Sequence, residues 1–112
     1  MLTTVVETPE FSRKAKALLT EAERMRIVDT LSAQPEAGVS LGGGLRKVRF
    51  AREGGGKSGG FRTIHFYAPG QGLPVFLMDV FAKNVRGNVT TGEQAAMTEA
   101  AAQIAGTYGE KK

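Results

Sequence analysis

Arg46, Lys47, Arg49, Arg52, Lys57, Arg62, Lys83 and Arg86 stand between Leu45 and Arg86, with only Glu53 and Asp79 to offset them. The flanking stretches each carry slightly more acid than base, so all of the formal charge of +4 arises in this middle segment. Such a concentration of cations attracts a polyanion: RNA, DNA or an acidic protein partner. Alternating charge is also how an exposed strand stays soluble, and charge alone does not separate the two. One reaction can be run largely by cations. Cleavage of a phosphodiester by its neighbouring 2′-hydroxyl needs a proton acceptor, a proton donor for the leaving oxygen, and positive charge around the pentavalent phosphate. Arginine and lysine supply the last, and act as bases near neutral pH only where like charges crowd them.

Other chemistries are disfavoured by what the chain holds. With no cysteine there are no disulfides, thiolate metal sites or thiol nucleophiles. His65 is the single histidine and has no clustered carboxylates with which to share a metal, so no metal is expected and a structural or pocket-lining role suits it better than a catalytic one. Gly56-Lys57-Ser58 ends like a phosphate-cradling loop, but Ala51 occupies the position of the required first glycine and a strand, not a helix, follows. Residues 1–10 show no basic then apolar leader, and no apolar run approaches the roughly 20 residues of a spanning helix, so the expected compartment is the cytoplasm.

The elements that must carry these residues can be read from periodicity. A chain of 112 residues, 41% hydrophobic, suits one domain over 1–112. Thr3 to Glu7 reads as a short strand, and Thr8-Pro9 opens a helix. Phe11, Ala15, Leu18 and Leu19, then a Thr20 to Glu23 capping box followed by Met25, Ile27, Val28 and Leu31, predict a helical hairpin ending near Gln34. Pro35 and the glycines from Gly38 to Gly44 predict a loop. Leu45 to Arg52 alternates, with Val48 and Phe50 on one face and Lys47 and Arg49 on the other, as in a strand with one buried and one basic face. Glu53 to Gly60 reads as a hairpin loop, Phe61 to Ala68 as a strand, and Val75 to Ala82 as a central apolar strand. Thr90 or Thr91 caps a last helix to about Ala105, with Gly106 and Gly109 stopping it and a flexible tail from about residue 106. The expected fold is α+β, in the order β-α-α-β-β-β-α.

Leu45-Arg46-Lys47-Val48-Arg49, then Gly56 to Arg62, then Phe81-Ala82-Lys83-Asn84 with Asn88-Val89-Thr90 ahead of a helix, resemble the successive blocks of the RelE/ParE superfamily of toxins, nearest the HigB/RelE-like branch. The resemblance runs from about Thr3 to Ala105. It implies a RelE-like fold, a small antiparallel sheet packed against an N-terminal helical hairpin and a C-terminal helix. It also implies a type II toxin that cleaves messenger RNA on the ribosome without cofactor or metal, and a cognate antitoxin, expected to be a helix-turn-helix protein. Carried over by position, Lys47, Arg49, Arg62 and Lys83 become candidate catalytic residues, and Arg46, Arg52, Lys57, Asn84 and Arg86 candidate RNA contacts. Phe81 stands where relatives often carry an aromatic hydroxyl, and Thr90 and Thr91 where many carry a tyrosine. The same fold serves ParE-like gyrase inhibitors, which leaves gyrase inhibition, or a degenerate toxin that only binds its antitoxin, as the alternative. Arg62→Ala is expected to abolish toxicity while leaving the fold intact, since a surface cation on a strand contributes little to stability.

Overall fold

The computed structural model describes residues 2–52, 60–83 and 88–110. Its elements are β1 (Val5–Glu7), α1 (Pro9–Leu18), α2 (Glu21–Ala33), β2 (Val39–Gly42), β3 (Leu45–Phe50), β4 (Phe61–Phe66), β5 (Val75–Ala82) and α3 (Thr91–Glu110). Each helix begins where the sequence supplies a cap. The Thr8 hydroxyl accepts from Phe11 N and donates to Leu77 O, which caps α1 and ties it to β5. Thr20 and Glu23 form the predicted capping box, at 3.0 Å in both directions. Thr90 and Glu93 repeat that arrangement ahead of α3.

The five strands form one sheet in the order β1-β5-β4-β3-β2. β1 runs parallel to β5, and every other pair is antiparallel, so the sheet is mixed rather than wholly antiparallel. Chain direction explains this: β1 leads into the helical hairpin, and β5 returns beside it pointing the same way.

Two further expectations are corrected. The glycine-rich stretch predicted as a loop contains β2, which pairs with β3 in a hairpin turned by Gly43 and Gly44. Both turn residues have positive φ, +64° and +87°, the backbone that two-residue hairpins require, so the glycines mark a turn and not the absence of a strand. The last helix also continues through Gly106 to Glu110. Glycine in a helix costs about 1 kcal/mol, and here packing outweighs it: Ile104 and Ala105 rest on the sheet, and the Tyr108 ring meets Phe76 edge-on at 5.9 Å.

The sheet is covered on both faces. α1 and α2 bury Phe11, Ala15, Ile27 and Leu31 against Val48, Phe50, Phe61, Val75, Leu77 and Val80. The opposite face buries Leu45, Ile64, Phe66, Phe76, Met78 and Phe81 together with Ala101 of α3. Double coverage accounts for the nearly continuous apolar run of β5, whose successive residues serve the two cores in turn. Between Ile64 and His65 the β4–β5 register slips, leaving Met78 as the extra residue of a bulge.

Candidate functional site

Lys47 and Arg49 alternate with Val48 and Phe50 along β3 as expected, but the face they occupy is not simply basic. It is the face of Leu45 and Ile64, apolar under α3 and cationic further along. The cross-strand register sets the cations side by side. Arg49 is the direct partner of Arg62, and Arg62 of Phe81, so the three form one row across β3, β4 and β5. Lys47 stands one same-face step away, opposite Ile64. Lys83 lies just beyond β5, where its backbone N–H donates to Gly60 O at 2.9 Å and extends the ladder by one rung. Register therefore draws together Lys47, Arg49, Arg62 and Lys83, the four candidate catalytic residues.

Their environments differ. Arg49 and Lys83 are exposed and Lys47 is half-buried, whereas Arg62 is only 6% exposed. The expectation of a surface cation at Arg62 is thus overturned: it stands on β4, whose six residues are all buried in a sheet covered on both faces. The Nε of Arg62 is itself buried without an acceptor. Among the described residues no carboxylate pairs with any of these four cations, although Arg13, Lys14, Arg24 and Arg52 all have one. Two like charges directly opposite on a ladder repel, and the described residues supply this row with no compensating carboxylate.

The remaining candidates fall elsewhere. Arg46 shares the opposite face with Val48, and its guanidinium donates to Ala37 O and Gly38 O at 3.2 and 3.1 Å, fastening the turn before β2. Arg52 reaches back to Leu18 O at 3.3 Å and to Glu23 at 3.4 Å, binding the end of β3 to the helical hairpin. Both therefore lie apart from the Arg49–Arg62 row and have backbone or carboxylate partners of their own. Lys57, Asn84 and Arg86, with most of the predicted 53–60 hairpin, lie outside the described residues. The sequence alone did not single out Arg26, nor give Glu23 a role beyond its capping box, because their partners, Phe50, Ala51 and Arg52, lie on the far side of a helix-to-sheet contact.

His65 takes the structural role expected of it, on the face away from Arg62. It is fully buried, with Nε2 donating to Pro35 O at 2.7 Å and Nδ1 unpaired. Burial, and secondarily the nearby Arg46 charge, hold its pKa below the usual 6.5, against the opposing pull of the Pro35 bond. Tyr67 packs against the helical-hairpin core and Tyr108 against Phe76, so neither belongs to the cationic row. Among the described residues no three histidine or carboxylate side chains gather as metal ligands would. No described helix is long and apolar enough to cross a membrane.

A five-stranded sheet with a helical hairpin on one face, and a C-terminal helix beside a row of cations on the other, defines an α+β fold of the RelE type. The free-state structure of a double mutant of the E. coli toxin RelE superposes with a TM-score of 0.54 at 15% identity, over 71% of this chain and 82% of that one. Residues 3–111 match the family described as RelE toxin of RelE/RelB toxin-antitoxin system. The chain belongs to the RelE toxin family, the toxin side of toxin–antitoxin pairs. No curated protein matches the sequence.

Proposed function

We propose that this toxin is a ribosome-dependent messenger-RNA endonuclease of the cytoplasm, held inactive by a helix-turn-helix antitoxin that covers its cationic row. The observation that carries this reading is the Arg49–Arg62 pair, two arginines in direct cross-strand register that no carboxylate among the described residues pairs with. Retaining that repulsion is explicable if the pair's partner is an anion brought from outside. A phosphodiester fits, because guanidinium donors match phosphate oxygens in pairs, and their charge counters the extra negative charge of the pentavalent state. Lys47 and Lys83 flank the row and are assigned to proton transfer: one to take the proton of the attacking 2′-hydroxyl, the other to protonate the leaving 5′-oxygen. This needs no metal or cofactor. The described residues place no tyrosine on the row, so the ribosome, not a stacking side chain, is assigned the task of orienting the messenger.

The test is to add the purified protein to a reconstituted translation reaction and map 5′ ends on the messenger, beside a reaction without ribosomes. Cuts within codons that appear only with ribosomes are the expected result. An intact messenger from folded protein would overturn it and favour gyrase inhibition or a purely regulatory role.

A further inference from the structure

Behind the Arg49–Arg62 row, on the opposite face of the sheet, the next rung is Phe50–Phe61, the last of the β3–β4 register. The two rings stack at 5.4 Å and 11°. Both are flanked by arginines. The Arg26 guanidinium lies 5.6 Å from the Phe50 ring and the Arg52 guanidinium 5.9 Å from that of Phe61. Each arginine is also anchored: Arg26 donates to Ala51 O, and Arg52 to Leu18 O and Glu23. Glu23 is 3% exposed and fixed in turn by Thr20 N. The outer end of the hairpin is therefore gripped from the helical side by two cations stacked on a pair of rings.

Phe50–Phe61 is the last β3–β4 rung among the described residues, and terminal rungs open more readily than those inside a ladder. This end also carries two like charges roughly 5 Å apart at their Cβ atoms, a spacing that destabilises a cross-strand pair. We infer that Arg26 and Arg52 are positioning residues, holding the terminal rung shut against the repulsion of Arg49 and Arg62 and so fixing the distance between those two guanidiniums. The aromatic rings make this possible, since a cation over a ring face is attracted while it stays on the side away from the other charges. The functional value of that spacing rests on the anion-binding reading above; the mechanical claim does not.

Hydrogen exchange in the intact protein tests it. In Arg26→Ala, whose side chain is exposed and leaves no buried charge behind, the amides of the Arg49–Arg62 and Phe50–Phe61 rungs should exchange about tenfold faster, with the Leu45–Phe66 end unchanged. Adding Arg49→Gln to that variant should bring exchange back to within roughly twofold of the parent, because the force parting the strands has been removed. Faster exchange that Arg49→Gln does not reverse would mean the arginines are ordinary buttresses and would overturn the inference, as would exchange raised equally along the ladder. Inorganic phosphate should slow the same amides in the parent protein. Rescue by Arg49→Gln without any phosphate effect would count against the anion reading alone and leave the clamp standing.

Discussion

Arg62 faces Arg49 on one side and Phe81 on the other, buried in the middle strand of a three-strand row and bonded to none of the described carboxylates. A buried cation beside a like charge opposes folding, so replacing it with an apolar side chain of similar length should relieve the fold. Arg62→Met is expected to raise stability by up to about 1 kcal/mol in a urea melt. In the translation reaction its cleavage should fall by about 100-fold or more. A variant that is less stable, or one that still cuts, would mean that the charge is held for another reason.

His65 gives stability a pH dependence of determinate sign. Its folded-state pKa lies below the unfolded value of 6.5, so at pH below 6.5 the unfolded chain takes up a proton that the folded chain resists. That contribution is fully present above pH 6.5 and is lost as pH falls toward the folded-state value. Glu7 and Glu10, whose pKa values are lowered from 4.5 against the penalty of burial, add their own loss only below that pH. For Glu7 the hydrogen bond from Arg24 and for Glu10 that from Arg13 hold the carboxylate charged. Urea midpoints should therefore drop between pH 7 and pH 5.5 in the parent, and stay level over that window in His65→Gln, whose amide can still donate to Pro35 O.

Thr63 lies on the same face of β4 as His65, fully buried, with a hydroxyl that has no partner. Valine has nearly its shape and removes the unsatisfied group. Thr63→Val should stabilise the protein by about 1 kcal/mol. A loss of stability would show that the hydroxyl has a bonding partner in solution.

Gly38 and Gly42 both have positive φ, +88° and +91°, yet only Gly38 is packed tightly. A Cβ at Gly38 would stand 2.1 Å from the Lys47 carbonyl oxygen, whereas at Gly42 it meets nothing within 4 Å. Gly42→Ala should cost about 1 kcal/mol, the backbone strain alone. Gly38→Ala should cost about 2 kcal/mol or more and shift β3 at Lys47. Thermal melts of the two variants, with cleavage measured beside them, check the difference; equal costs would mean that strand β3 yields freely there.

Much of this architecture is local and could be read along the chain. The caps at Thr8, Thr20 and Thr90 need only residues three positions apart, and the alternation of β3 needs only the two-residue period of an extended backbone. The cation-rich middle segment and the family resemblance followed from order along the chain alone. Pairing is not local, and the order of residues along the chain does not carry it. Whether Gly38 to Gly44 was a loop or a hairpin depended on a partner strand, and the end of α3 depended on Phe76 being within reach of Tyr108. Arg46, Lys47, Arg49 and Arg52 have like charges within seven residues, yet register and strand face sent Arg46 and Arg52 to hold turns and helices and left Lys47 and Arg49 beside Arg62. Residue type says which side chains can meet a phosphate; which of them are free to do so is settled by the partners that folding supplies to the others.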